Sequence, residues 1–306
     1  MNPIRGIALK LISVLLFSIM ASCIKAASAH VPPGEAVFFR SIFALPVIFG
    51  WLLLRRELRT GLKTDNVMGH FWRGVIGTTA MALGFSALGL LSLPEVTAIG
   101  YAAPLLVVVF AAMFLGEQVR LFRLSAVGLG LLGVMIVLYP RLSSLSGENR
   151  DAVAALGAVL TLGSATFMAL AQIHIRRLVQ TEKTSAIVFY FTLSSALLSL
   201  LTLPFGWVMP TGYEALLLVA AGLLGGIAQI FLTSAYRFAP ASTVAPFDYA
   251  SMLLAIVIGY FIFAETPTIH TLAGAALIIC AGVLIIWRER QLGLKRGARK
   301  TLTPQG

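Results

Sequence analysis

Residues 96–117, VTAIGYAAPLLVVVFAAMFLGE, recur in altered form as residues 244–265, VAPFDYASMLLAIVIGYFIFAE. The two stretches align without a gap at a constant offset of 148 residues. Matched pairs include Val96 with Val244, Tyr101 with Tyr249 and Glu117 with Glu265. Leucine and valine matches are common in apolar sequence, but a tyrosine and a glutamate in the same frame are not. The sequence therefore predicts an internal duplication.

The rest of the chain is as apolar as these two segments. Of its 306 residues 58% are hydrophobic and 11% are charged, and the mean hydropathy is +0.93. A soluble domain carries about 25% charged residues, so this composition excludes an ordinary soluble protein. A helix needs about 20 apolar residues to cross about 30 Å of hydrocarbon. Ten stretches are predicted to do so: 7–27, 36–54, 72–89, 94–115, 121–139, 152–174, 184–203, 214–235, 239–263 and 271–287.

The lysines and arginines are distributed unevenly between these stretches. All but four of the 23 lie in every second gap or near the two ends of the chain. The four exceptions are Lys25, Arg40, Arg141 and Arg150. Because basic loops stay in the cytoplasm, this pattern predicts cytoplasmic termini and an even number of spans. The net charge of +11 is then explained by loops that face an anionic leaflet, and nucleic acid is not expected as a partner.

Each predicted span must be helical, because the hydrocarbon offers its backbone no hydrogen-bond partner. The predicted fold class is therefore an all-α integral membrane protein with ten transmembrane helices. The duplicated unit contains five of them, and an odd number means that the second copy enters the membrane from the opposite side. The predicted division is a first repeat at 1–145, a second at 146–290 and a basic cytoplasmic tail at 291–306. Inverted repeats with a site between them are typical of secondary transporters.

Each repeat resembles the EamA-type unit of the drug/metabolite transporter superfamily. In the first copy the resemblance is carried by Lys25, Phe38-Phe39-Arg40, Tyr101-Ala-Ala-Pro104 and Phe114-Leu-Gly-Glu117. In the second copy it is carried by Phe247-Asp248-Tyr249 and Phe263-Ala264-Glu265. The resemblance covers residues 5–290. It implies two inverted five-helix EamA repeats in the bacterial inner membrane and a small-molecule substrate.

The N-terminal half is similar to the bacterial riboflavin importers of this superfamily, the RibN type. The matching segments are MNPIRGIALK at 1–10, VPPGEAVFFR at 31–40 and LPEVTAIGY at 93–101. This similarity implies riboflavin uptake by alternating access. Related transporters move amino acids and other metabolites on the same scaffold, and a fold alone does not fix a substrate. Export of amino acids or related metabolites therefore stays open, as does a non-transporting membrane subunit or sensor.

Ionisable residues within spans are costly and usually functional. Arg40 lies inside the second span near its outer end, and Lys25 and Glu35 are expected at the same level. The three form either an outer-mouth site for a polar part of the substrate or a structural ion-pair cluster. In the structural alternative, Lys25 and Arg40 extend to the membrane interface. The second copy has Val188 in place of Arg40, so the role of this arginine is not duplicated.

A second group of candidate residues surrounds Asp248, an acid well inside the ninth span. It is predicted to bind a proton or the polar edge of a ligand, or else to pair with a neighbouring helix. Phe39, Tyr101, Phe247 and Tyr249 are predicted to present aromatic faces to a flat ligand such as a flavin, and would suit tryptophan or phenylalanine equally well.

Two further acids, Glu117 and Glu265, end repeat-related spans and are predicted to be structural anchors. The sequence predicts no cofactor and no metal, because it contains no G-x-x-x-x-G-K-[ST] loop and its histidines lack ligand spacing. An enzyme is not expected either, because no clustered catalytic groups are present. The expected partners are the small-molecule substrate and the lipid bilayer.

Overall fold

The computed structural model describes residues 3–58, 60–115, 121–143, 149–238 and 245–301, and these residues form helices joined by short loops. The α-helices are α1 (Pro3–Ala27), α2 (Pro33–Ile42), α3 (Ala44–Leu54), α4 (Val67–Leu88), α5 (Leu93–Gly100), α6 (Ala102–Leu115), α7 (Leu121–Ser143), α8 (Asn149–Thr181), α9 (Thr184–Ser199), α10 (Gly212–Phe238), α11 (Ala250–Phe263) and α12 (Ile269–Thr301). Leu200–Phe205 and Ala245–Tyr249 are 3-10 helices.

The predicted membrane character is confirmed. Six helical stretches are long and apolar enough to cross a bilayer: Ile4–Ala27, Pro33–Leu54, Leu93–Phe114, Ala152–Thr181, Thr184–Phe205 and Gly212–Ala235. Three shorter apolar helices accompany them: Leu124–Pro140, Phe247–Phe263 and Ile269–Ile285. The remaining predicted span corresponds to α4, which has 22 residues and includes the buried polar side chains of His70 and Arg73. The chain is therefore an all-helical protein with multiple membrane spans.

Two stretches predicted as single helices, 36–54 and 94–115, are each broken in two. The break between α2 and α3 precedes Pro46, and the break between α5 and α6 precedes Pro104. A proline has no N–H to donate to the carbonyl four residues earlier, which is why α2 ends at Ile42 and α5 at Gly100. The break between α5 and α6 leaves Tyr101 at the junction.

The helices of the two halves pack in a reciprocal pattern. α1 packs extensively along α10, and α4 packs along α8. In the predicted duplication α1 corresponds to α8 and α4 to α10, so exchanging the halves converts the first contact into the second. The extensive contact of α7 with α12, which also correspond, is converted into itself. The packing therefore behaves as expected for two related units.

Glycines allow the closest of these helix–helix approaches. A Cβ atom on Gly133 of α7 would lie 2.8 Å from the carbonyl oxygen of Gly274 on α12, so a larger residue does not fit there.

Two apolar clusters lie in the core beside the polar groups. One buried cluster surrounds Tyr101 and Tyr249. A second joins α1, α2, α4 and α10 around Ile24. Between them, these clusters position the polar groups described next.

Candidate functional site

The two repeat-related tyrosines contact each other at the centre of the first cluster. The ring centroids of Tyr101 and Tyr249 lie 5.2 Å apart at an interplanar angle of 75°, an edge-to-face arrangement. The Tyr101 hydroxyl lies 2.8 Å from Ser251 Oγ and also donates to the Tyr249 carbonyl at 3.3 Å. The contact joins the two tyrosines that occupy the same position in each copy of the predicted duplication.

The space for this pair comes from a glycine on α12. A Cβ atom on Gly282 would collide with the Tyr249 hydroxyl. Both tyrosines are buried and are packed by apolar side chains. Phe247, two residues before Tyr249 in the 3-10 helix Ala245–Tyr249, is half-buried. Phe39 instead packs against the second cluster, where its ring stacks on Phe43 with centroids 6.0 Å apart. The predicted aromatic residues therefore do not line one common surface.

Asp248 forms an ion pair with Lys10 of α1. Lys10 Nζ lies 2.6 Å from Asp248 Oδ1, and the side chains are 3% and 38% exposed. The sequence left three roles open for Asp248: binding a proton, binding a ligand, or pairing with a neighbouring helix. The observed contact is a pairing with a neighbouring helix. Proton or ligand binding at Asp248 requires this pair to loosen. Sequence reasoning missed Lys10, because a lysine near the start of the first span fits the basic cytoplasmic pattern without any partner.

Lys25 forms a second ion pair at the other end of α1. Its Nζ lies 2.9 Å from Glu265 Oε1 and donates to the carbonyls of Leu88 and Leu91 at 3.1 and 2.6 Å. The other carboxylate oxygen of Glu265 accepts the Leu93 N–H at 2.8 Å. These contacts join the end of α1 to the α4–α5 turn and to Glu265, two residues after the end of α11. The matching anchor predicted at Glu117 lies outside the described residues.

Among the described residues, Lys25, Glu35 and Arg40 have separate contacts, and the outer-mouth cluster stays a prediction. Glu35 is 1% exposed and accepts the Val208 N–H at 3.0 Å, so it fixes the loop before α10. Arg40 follows Glu35 by five positions on α2. This spacing places their side chains about 140° apart around the helix. Arg40 is also buried, at 3% exposure, and does not extend to the interface as the structural alternative expected.

Arg40 and a second buried arginine, Arg73 of α4, both lie against the ring of Phe191. The guanidinium carbons lie 5.8 and 3.8 Å from the centroid of this ring. Arg73 is 5% exposed. For both arginines, Nε and Nη1 are buried and have no hydrogen-bond partner in the described part of the chain. We call Arg40 and Arg73 the arginine pair.

Glycines also create the space for the arginine pair. A Cβ atom on Gly77, one turn beyond Arg73, would collide with its guanidinium. A Cβ atom on Gly225 of α10 would lie 3.0 Å from Arg40 Nε. Sequence reasoning assigned Arg73 to the cytoplasmic flank of its span. Gly77, four residues later, was the available signal that the Arg73 side chain lies along its own helix.

A cavity of about 220 Å³ lies between α4 and α9, one helical turn from the arginine pair. Its lining includes His70, three residues before Arg73, and Ser194, three residues after Phe191. His70 Nε2 lies 3.3 Å from Glu182 Oε2. Desolvation opposes ionisation of Glu182, but hydrogen bonds from His70, Thr64 and the Asp65 amide outweigh it and lower the pKa of this carboxyl.

Comparison with known proteins agrees with this architecture. The pseudopaline exporter CntI of Pseudomonas aeruginosa (strain UCBPP-PA14) is 32% identical over 284 residues, covering 92% of this chain and 95% of the exporter. An S-adenosylmethionine uptake transporter of Rickettsia felis is 28% identical over 254 residues, covering 83% of this chain and 81% of that protein. A protein of known crystal structure aligns with a TM-score of 0.66 over 94% of this chain and 98% of its own, at 23% identity, and supports the fold alone.

The model of the EamA-like transporter family matches the chain twice, at residues 4–139 and 155–287. The relatives are transporters, which confirms the prediction that the chain is not an enzyme. They also support the predicted location in the bacterial inner membrane. The chain belongs to the EamA-like transporter family.

Proposed function

We propose that this protein is a secondary transporter that carries a small polar metabolite across the inner membrane by alternating access. The observation that carries this proposal is the reciprocal packing of the two halves around Tyr101 and Tyr249. Two related units on a local axis can exchange their conformations, which converts an inward-facing carrier into an outward-facing one. A membrane subunit or sensor has no need of such an arrangement.

The proposed topology has ten spans, two inverted five-helix repeats at 1–145 and 146–290, and cytoplasmic termini. Helices of the described chain coincide with all ten predicted stretches, which supports the count. The two family matches, 4–139 and 155–287, fall one in each proposed repeat. The basic residues of alternate gaps support the orientation. Residues 291–306 would form the basic cytoplasmic tail.

The two ion pairs of α1 suggest how each side is held closed. Lys10 and Lys25 are 15 residues apart, which places them about 22 Å apart along the helix. Their partners are Asp248, which lies inside the ninth proposed span just before α11, and Glu265, which lies just after the end of that span. We assign Lys10–Asp248 to the cytoplasmic side and Lys25–Glu265 to the outer side. Opening to either side would then break one pair and keep the other, and protonation of Asp248 offers a route to proton coupling.

Two substrate classes follow from the sequence and the relatives. The relatives described above are named for export of pseudopaline and uptake of S-adenosylmethionine, so a metabolite of the amino-acid-related class is the first candidate. Riboflavin uptake is the second, favoured by the segments of the N-terminal half that are similar to riboflavin importers. Both classes fit a carrier of small polar molecules.

Reconstitution into proteoliposomes tests the proposal. The purified chain is supplied with labelled riboflavin, amino acids and S-adenosylmethionine in turn, with uptake and release both measured. Saturable movement of at least one compound, lost when Lys10 and Lys25 are both replaced by Met, is the expected result. The Arg55→Met variant is the matched control, because Arg55 is exposed and stacks on Trp51 away from both ion pairs. Folded protein that moves none of these compounds would favour the subunit or sensor.

Growth of a strain that cannot make riboflavin, on dilute riboflavin, tests the second candidate separately. Rescue by this chain would establish riboflavin import. Absence of rescue at good membrane abundance would leave the amino-acid-related class in first place.

A further inference from the structure

We infer that the arginine pair, Arg40 and Arg73 against the ring of Phe191, binds an oxyanion, so that the transported metabolite carries a carboxylate or a phosphate group. This inference rests on the proposed function where it identifies the bound anion with the transported compound. The anion site itself is a statement about these residues and can be tested without transport.

The buried positive charges of Arg40 and Arg73 favour a bound anion. An arginine does not give up its proton in a protein, so both side chains carry a positive charge where they are 3% and 5% exposed. A buried charge is costly unless it is paired and hydrogen-bonded. The Phe191 ring offsets part of this cost through its π face, and offers no acceptor to the N–H groups at the edge of each guanidinium.

The acids described near these helices already have other partners. Their partners are Val208 for Glu35, Ser92 for Glu95, His70 for Glu182, His30 for Glu214, Lys10 for Asp248 and Lys25 for Glu265. Among the described residues no carboxylate forms a salt bridge with Arg40 or Arg73. Each arginine keeps two buried nitrogens without an acceptor, and the adjacent Ser41 hydroxyl is also buried and unpartnered.

The second half of the chain has no counterpart of either arginine. At the same offset of 148 residues, Arg40 corresponds to Val188 and Arg73 to Ala221. Both of these second-half residues are buried, at 1% and 0% exposure. Apolar side chains therefore satisfy the packing at these two positions of the fold. The arginines are an addition made in one half only, as expected for a ligand site and not for a structural need.

The depth and shape of the site fit a transported anion. Arg40 lies about 10 Å along α2, and Arg73 about 9 Å along α4, measured from the start of each helix. These helices enter from opposite sides in the proposed topology, so the pair lies near mid-depth, where secondary transporters bind their substrates. The guanidinium fork matches the two oxygens of a carboxylate or phosphate in a bidentate arrangement. The cavity beside His70 and Ser194 lies one helical turn from Arg73 and Phe191.

The test uses the full chain in detergent micelles and follows thermal unfolding at constant ionic strength. The probes are succinate, its uncharged diamide succinamide, and inorganic phosphate. We expect saturable stabilisation by succinate or phosphate and none by succinamide. Succinate alone would assign a carboxylate ligand, and phosphate alone would assign a phosphate ligand. Equal effects of succinate and succinamide, or no effect of any probe, would overturn the inference.

Two variants locate the effect. Arg40→Met and Arg73→Met should each weaken the apparent affinity for the anion at least tenfold, as expected for loss of a charge-assisted hydrogen bond. Without anion, both variants should melt no lower than the parent chain, because an uncompensated buried charge has been removed. Arg55→Met should leave anion stabilisation unchanged. If both arginine variants melt lower and keep the anion effect, the arginines are structural and the inference fails.

These outcomes are separable from the proposed function. Transport of only uncharged compounds, unaffected by Arg40→Met and Arg73→Met, would refute the identification of the bound anion with the transported compound and leave the carrier intact. Anion binding in a chain that transports nothing would refute the carrier and leave the site.

Discussion

Lys10 Nζ lies 2.6 Å from Asp248 Oδ1, which joins the first helix of the chain to the short helix before α11. Lys10 is almost fully buried, whereas more than a third of the Asp248 side chain reaches solvent. A fully buried pair loses about 3–5 kcal/mol when one partner is removed. Solvent screening at Asp248 reduces this coupling, so we expect the pair to be important but breakable, as a transport cycle requires.

Replacing either partner of this pair tests its strength. We expect Lys10→Met and Asp248→Asn each to lower the stability of the folded chain by about 1–3 kcal/mol. The double variant should lose clearly less than the sum, because neither charge is then left without the other. Thermal unfolding in detergent measures all three. Strictly additive losses would mean that the two side chains do not interact in the membrane protein.

A second prediction concerns Glu265, which accepts the Leu93 N–H at the first turn of α5. Glu265→Ala removes this acceptor, so the Leu93 amide should exchange with solvent about tenfold faster or more, as a lost charge-assisted bond of about 1.4 kcal/mol predicts. Hydrogen exchange of the peptide around residue 93 provides the measurement. Glu214→Ala is the control, because Glu214 bonds to His30 and Thr211 and should leave this peptide unchanged. Unchanged exchange in Glu265→Ala would contradict the assigned contact.

The tyrosine pair leads to a third prediction. Gly282→Ala places a methyl group against the Tyr249 hydroxyl, and we expect a loss of about 1–3 kcal/mol because the ring must shift in a packed core. Gly128→Ala is the matched control, since a Cβ atom there meets open space. The control should be neutral or more stable by about 0.5–1 kcal/mol. The order of the two melting temperatures checks the prediction, and equal values would show that Tyr249 does not occupy this position.

Much of the architecture could be predicted because a membrane restricts what a sequence can do. Long apolar runs, basic alternate gaps and a repeated Tyr–Glu frame located the helices and the duplication. The site was harder to predict, since the partner of a side chain depends on its angle around the helix and on which helix lies opposite. Arg55 and Arg73 both fit the basic cytoplasmic pattern, yet Arg55 is exposed and Arg73 is buried against Phe191. Their packing distinguishes them, and the sequence signal was limited to Gly77, four residues after Arg73.

A fourth prediction concerns pH, at the His70–Glu182 contact near the cavity. The pKa of the Glu182 carboxyl is lowered in the folded chain from its ordinary 4.5. Its hydrogen bonds therefore contribute stability above that value and are lost as the pH falls through the lower folded pKa. We expect Glu182→Gln to lower the melting temperature at pH 7, and the difference from the parent chain to shrink below pH 4.5.

The contact involves His70 as well as Glu182, so the comparison needs a second background. Repeating it with His70→Asn removes the histidine, and the Asp65 amide and Thr64 hydroxyl remain as partners of the carboxyl. A difference that grows on acidification in both backgrounds would contradict the assigned direction of the Glu182 shift.

The most direct test of the account is counterflow in proteoliposomes that contain the purified chain. Vesicles are loaded with an unlabelled metabolite, and the accumulation of the same labelled compound is measured for an anionic and an uncharged panel. We expect transient accumulation of an anionic metabolite, abolished by Arg40→Met or Arg73→Met and retained by Arg55→Met. Folded protein that gives no counterflow with any metabolite would contradict alternating access, and counterflow with uncharged compounds alone would contradict the role of the arginine pair.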